Sequence, residues 1–506
     1  MKKICLLSFL AAFSLTLTHT PCQAERDTLV VSMGTQPLTP LNPAYTTSRQ
    51  IIVLYHNWGD TLLYRDPVQK KIVPCLAESY CQIDPRTIEF KLRKGVRFHN
   101  GEPFDAQAVR FSMNLLKGAD SLVSRYLAGF DGVEVVDHHT IRIKTSFPHP
   151  TALEVITNIL YIYPPDYYRE VGKEGFDSHP IGTGPYQFVS SAGSSEVCFK
   201  ANPEYFGGPK GQARIPRLKA INMAEELLQI ESLISGQADL VRSTNFYQEQ
   251  VPFVRQNNCL KIKTTDILRL CFLTMDAMGR SGTAFFKDKR VRMAVNHAIN
   301  REKIIQHAYR GYASRADSVT SPLHFGHEPD VMRYPYDPAR ARRLLTEAGY
   351  PDGFAVDLFA SINESACESI VRDLLSVGIK TRLHWMGGRW NQFYQKFLRG
   401  EMPLAFLTWG SYSIFDAAAI LNPFFIQDVP GCYGTTPEVS AMLTEANQTI
   451  DQEKRQEIFS KAQKMIADEA FWAPLCTTQA ISMMNSALNF QPSHDEIDRY
   501  FTASWD

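Results

Sequence analysis

The stretch IEFKLRKGVRFHNGEPFDAQAVRF, residues 88–111, sets the pattern by which the rest of the chain is read. Ile88, Phe90 and Leu92 alternate with Glu89 and Lys91, the period-two rhythm of a half-buried strand. Lys94-Gly95 turns the chain, and Asp105 stands where it can cap a helix whose Val109, Met113 and Leu116 share one face. Strand, tight turn and capped helix thus follow one another within 24 residues.

The same alternation recurs outward from this stretch. In YDPARARRLLTEAGYPDGF (336–354), Asp337 is a natural N-cap and Pro338 suits the first helical position. Ala341, Leu344, Leu345 and Ala348 make the apolar stripe, and Gly349 supplies the left-handed stop. KRVRMAVNHAINREKI (289–304) repeats the pattern with Val291, Ala294, Val295 and Ala298 turned inward. Helices interleaved with short strands predict an α/β architecture. A chain this long needs more than one hydrophobic core. No low-complexity linker, charge block or repeat marks a simple boundary, as expected if the chain crosses between domains more than once.

The N-terminus reads as an export signal. Lys2 and Lys3 precede an apolar run over 4–17 that is too short to serve as a membrane anchor. Thr20-Pro21-Cys22-Gln23-Ala24 places small residues for cleavage after Ala24. Lipidation at Cys22 is the alternative, against which Pro21 stands where a small residue is expected. The full chain carries 53 basic and 53 acidic residues, and loss of Lys2 and Lys3 leaves a balance of about −2. That is no footprint for nucleic acid or an anionic membrane. Eight cysteines follow the signal: Cys75, Cys81, Cys198, Cys259, Cys271, Cys367, Cys432 and Cys476. An oxidising compartment permits disulfides among them, while buried free thiols are the plainer alternative. Cys75/Cys81 and Cys259/Cys271 are nearest along the chain, and no C-x-x-C occurs.

Catalytic signatures are missing: G-x-S-x-G, H-E-x-x-H, the P-loop and G-x-G-x-x-G do not occur. In Gly182-Thr183-Gly184-Pro185, the proline removes a donor that a phosphate cradle would use. His99, His138 and His139 fall in turns. His324 and His327 (HFGH) form an i,i+3 pair that can chelate a metal, though a solvated loop is the simpler reading.

Taken in order, residues 88–111, PIGTGPYQF (180–188), 289–304 and 336–354 resemble the signature blocks of the large solute-binding proteins of peptide, nickel and related ABC importers. The resemblance spans about 28–484. It implies a two-lobed periplasmic-binding-protein fold of type II, with an extra inserted subdomain and a hinge of two crossover segments, near 265–274 and 473–483. The implied division is 1–24 signal peptide, 25–66 first lobe, 67–181 inserted subdomain, 182–268 first lobe again, 269–478 second lobe and 479–506 a return to the first. It further implies a monomer in the periplasm that hands a solute to permease subunits driven by cytoplasmic ATPases, with no catalysis and no cofactor. An exported hydrolase is the alternative from another class.

The segment TWGSYSIFDAAAIL (408–421) is where the family places its ligand. Peptide-binding members carry W-x-x-D-x-x-D-P, whose first Asp pairs with the peptide ammonium. Counted back from Leu421, Asp416 matches the second Asp and Ser413 takes the first position; counted forward from Trp409, that position is Tyr412. Thr408-Trp409-Gly410 with Tyr412, and Pro40-Leu41-Asn42-Pro43, are instead similar to nickel-importer members, which bind metal chelated by a small carboxylate or amino acid. By this likeness Trp409, Tyr412, Ser413 and Asp416 line the pocket, with Tyr45 and Arg49 facing it and Arg125 the nearest carboxylate-gripping arginine. The expected cargo is a nickel chelate or small carboxylate, with a di- or oligopeptide as the alternative.

Overall fold

The computed structural model describes residues 27–506 apart from 35, 47, 119, 224 and 244–249, and apart from the side chains of 243 and 412. The expected signal peptide, and Cys22 with it, lies outside the described residues.

Local signals behave as their chemistry dictates. Strand Thr87–Leu92 buries Ile88, Phe90 and Leu92. Asp105 caps helix Ala106–Lys117 by accepting from the Gln107 and Ala108 amides at 2.8 and 3.2 Å. Asp337 does the same for Pro338–Glu347 through the Arg340 amide, and Gly349 follows with φ +92°. The two glycine motifs explain each other. A Cβ on Gly182 or Gly184 would fall 2.3 or 2.5 Å from the Trp58 backbone, so only glycine fits there. His99 closes the joint, its Nδ1 accepting from the Gly182 amide (3.4 Å) and its Nε2 donating to the Gly184 carbonyl (3.0 Å).

An eleven-stranded mixed sheet runs through the molecule. On one side of it lie Ile379–Trp385, Phe354–Ala360 and Leu404–Trp409; on the other lie Leu240–Ser243, Thr28–Ser32, Arg217–Ile221, Glu196–Ala201 and Tyr186–Ala192. Two long antiparallel strands, Leu260–Met275 and Trp472–Asn485, join the halves. Their pairing breaks between Asp266 and Leu270, where the register shifts. Before the break the first of them pairs only with Trp472–Asn485; after it, Leu270–Met275 also pairs with Leu404–Trp409. The segments 265–274 and 473–483 fall within these two strands. A separate four-stranded antiparallel sheet runs in the order Ala77–Asp84, Thr87–Leu92, Thr140–Thr145, Phe130–Asp137.

Candidate functional site

Strand Leu404–Trp409 ends at Trp409, which lines a cavity of about 540 Å³ between residues 125–155 and 409–447. Trp409 lines it from one side with Asn422 and Asn447, and Arg125, Tyr126 and His149 from the other. The indole is half-buried and fixed: Nε1 donates to the Ala419 carbonyl at 2.9 Å, and the ring meets Phe424 edge-on at 5.0 Å. The Arg125 guanidinium stands 4.9 Å over the Tyr126 ring. The cavity therefore offers aromatic faces with a few polar tips, the chemistry of a small-solute site.

Beyond Trp409 the chain enters a short turn, Ser411–Ser413, in which both serines have left-handed backbones (φ +53° and +64°). Such conformations persist where surrounding contacts impose them. Ser411 is held by His324, whose Nδ1 accepts from the Ser321 amide (3.0 Å), leaving the proton on Nε2 to donate to Ser411 Oγ (2.8 Å). Ser413 faces the first lobe. Its Oγ accepts from Arg49 Nη1 (2.8 Å) and donates to the Asp495 carbonyl (2.5 Å), and its carbonyl accepts from Asn158 (3.1 Å). Arg49 and Ser413 are thus brought together across the lobes. Tyr412 lies between the two serines, its side chain outside the described set.

Other expected residues are engaged elsewhere. Asp416 is buried against Arg455, with Nη2 2.8 Å from Oδ1 and Nη1 on Oδ2, and Oδ1 also accepts from the Ala418 amide at 2.9 Å. Tyr45 rests against helix Pro165–Ser178, its hydroxyl 3.4 Å from that of Tyr168 and its ring 4.0 Å from the Lys173 ammonium. His327 Nδ1 lies 2.9 Å from Thr320 Oγ1, so neither histidine of the pair is turned toward a shared metal position. Among the described residues no three His, Cys, Asp or Glu side chains cluster to hold a metal.

Burial lowers the pKa of His324 to about 3. As pH falls from about 6.5 toward 3 the unfolded chain gains a proton that the folded site refuses, so stability declines through that window. At pH 5.5 this amounts to about 1 kcal/mol from this one imidazole. Urea unfolding at pH 7.5 and 5.5 should show a decline smaller by that amount in His324→Asn; equal declines would mean that His324 protonates freely in the fold.

Sequence reasoning missed a charged cluster beside the loop that follows Trp409. Glu496 is 1% exposed, has a left-handed backbone (φ +59°), and reaches the loop after Trp409. A Cβ on Gly410 would stand 2.9 Å from Glu496 Oε2 and 3.2 Å from Arg269 Nη2, so glycine lets the loop pass directly over this pair. Arg269 Nη2 lies 3.0 Å from Glu496 Oε1 and comes from the register break in the first crossover strand. Burial pushes the Glu496 carboxyl up, but the guanidiniums of Arg269, Arg49 and Arg242 outweigh it and hold it below its ordinary value. A carboxylate and several guanidiniums thus converge where the two lobes meet the hinge strands.

The family model for bacterial extracellular solute-binding proteins, family 5 (middle region), matches residues 71–430. The glutathione-binding protein GsiB of Pectobacterium atrosepticum is 30% identical over 446 residues, covering 83% of this chain and 82% of that protein. GsiB of Salmonella typhimurium is 29% identical over 499 residues, with 94% and 92% covered. In structure the chain is similar to the periplasmic binding protein DppA from Helicobacter pylori in complex with the peptide STSA (TM-score 0.80, 24% identity, 94% of this chain and 98% of that one). It is equally similar to NikZ from Campylobacter jejuni in complex with Ni(L-His) (TM-score 0.80, 19% identity, 95% and 100%). At these identities the structural likeness concerns the fold alone.

Proposed function

We propose that this chain, which belongs to the bacterial extracellular solute-binding proteins of family 5 and serves as the solute-binding component of an ABC importer, takes a small zwitterionic solute of the short-peptide class, of which glutathione is the leading member. The observation that supports this reading is Glu496 beside Arg269. The carboxylate that residues 409–416 lack for an ammonium group is supplied from the C-terminal segment, and a guanidinium for a carboxylate stands next to it. A solute carrying both charges can satisfy both groups when the lobes part and reclose, and its differential affinity then favours the closed form. The GsiB relatives are named for glutathione, a peptide with these groups.

The relatives include periplasmic binding proteins, and no described helix is long and apolar enough to cross a membrane. We place this chain in the periplasm after cleavage near Ala24, with 269–478 as the moving second lobe. A second reading keeps the nickel chelate as cargo. It is favoured by Trp409 and Arg125 lining one cavity, an aromatic face and a guanidinium suited to a planar carboxylate chelate. Calorimetry on the mature chain separates the two. Glutathione or a dipeptide should bind at micromolar strength or tighter. Saturable binding of nickel–histidine alone, with no heat from either peptide, would reverse the assignment.

A further inference from the structure

Cys271 and Cys476 occupy directly opposed positions on the two crossover strands, just past the break between Asp266 and Leu270 and just before a second register shift between Cys271 and Phe272. Both side chains are buried in one hydrophobic core, at 2% and 0% exposure. Directly opposed antiparallel positions place Cα atoms about 4.5–5.5 Å apart, inside the span a disulfide bridges. The Tyr309 hydroxyl donates to Cys271 Sγ at 3.2 Å, and the Cys271 thiol reaches Thr408 Oγ1 at 3.7 Å.

The pairs nearest in sequence are held apart. Cys259 stands immediately before strand Leu260–Met275, so extended chain at about 3.3 Å per residue carries it roughly 40 Å from Cys271. Cys81 is an exposed position on strand Ala77–Asp84, while Cys75 is buried before its start.

We propose that Cys271 and Cys476 form a disulfide after the chain leaves the cytoplasm, closing residues 271–476 into one covalent loop at the neck of the second lobe. The oxidant is an organic disulfide, R–S–S–R, of the kind that catalyses thiol exchange outside the cytoplasm. The thiolate of one of the two cysteines attacks one of its sulfurs and expels a first thiolate. The other cysteine then gives up its proton, and its sulfur attacks the first cysteine's sulfur and expels the second thiolate. Two electrons and two protons pass to the oxidant, which leaves as two thiols. In the finished fold the hydrogen bonds to Cys271 from Cys476 and Tyr309 outweigh burial and lower its thiol, while Cys476 is pushed up, which marks the two sulfurs as direct neighbours. With both sulfurs enclosed by the finished lobe, the exchange belongs to folding, before the crossover strands pair. The bond would lie beyond the break between Asp266 and Leu270 and leave the hinge free.

The test refolds the full mature chain from denaturant in a mixture of reduced and oxidised glutathione. Remaining thiols are then alkylated in denaturant without reductant, and the peptides mapped by mass spectrometry. The expected product is one linked pair carrying Cys271 and Cys476, two hydrogens lighter than the dithiol and free of alkyl groups. Its melting temperature should exceed that of Cys476→Ser, or of Cys271→Ala should the first fold poorly, by about 5 °C, and dithiothreitol should abolish the difference. Complete alkylation of both cysteines in the refolded wild-type chain, or linkage of either one to a different cysteine, would overturn the proposal.

Discussion

Arg455→Met should destabilise the fold by about 3–5 kcal/mol, a large share of the roughly 5–15 kcal/mol that holds a domain together. Arg455 is buried in helix Gln452–Asp468, where it makes both hydrogen bonds to Asp416 and a third, through Nε, to the Ala446 carbonyl at 2.9 Å. Removing it strands a buried carboxylate without its charged partner. Asp416→Asn in the same chain should recover most of the loss, because the neutral amide can still cap the Ala418 amide and leaves no unpaired charge. Urea unfolding of the single and double variants measures both. A loss under about 1 kcal/mol for Arg455→Met would show that Asp416 has access to solvent or solute. The carboxylate would then be available for a ligand ammonium after all.

Asp416 and Arg455 show where a sequence stops being readable. Strands and helices are local, and Asp105, Asp337 and Gly349 announce their ends by chemistry that acts within four residues. The turn over Gly182 and Gly184 is readable as a motif, though its reason, the Trp58 backbone pressed against both glycines, is tertiary. The site is harder because its pieces are far apart. Ser413 is met by Arg49, Asn158 and Asp495, from three distant parts of the chain. Residues 493–499, SHDEIDR, are dense in charge, yet Asp495, Glu496, Asp498 and Arg499 are all buried. What keeps them there is pairing invisible along the chain. Asp495 takes both guanidinium nitrogens of Arg499 (2.9 and 2.6 Å), Asp498 takes Arg242 (3.0 Å), and Glu496 takes Arg269. Buried charges of this density need partners, and no local periodicity reports that they have them.

Glu496 is the member of this group on which the solute's identity turns. In the present arrangement its charge is balanced by Arg269, with Arg49 and Arg242 adding to the field. Glu496→Gln keeps the shape and a hydrogen-bonding carbonyl but removes the charge. Binding of a solute whose ammonium pairs there should weaken by about a hundredfold to several thousandfold, the equivalent of 3–5 kcal/mol for a buried charge that loses its partner. A nickel chelate gripped through its carboxylates should respond in the opposite sense. Neutralising Glu496 frees Arg269 from its intramolecular partner, so affinity for an anionic chelate should hold or rise. The folding effect is separated by unfolding each variant without solute, since only a change beyond that baseline counts as recognition. Titrating both proteins with glutathione and with nickel–histidine reads the two signs in one experiment. Unchanged glutathione affinity in Glu496→Gln would remove this residue from the ammonium contact and confine it to tying the C-terminal segment to the hinge strand through Arg269.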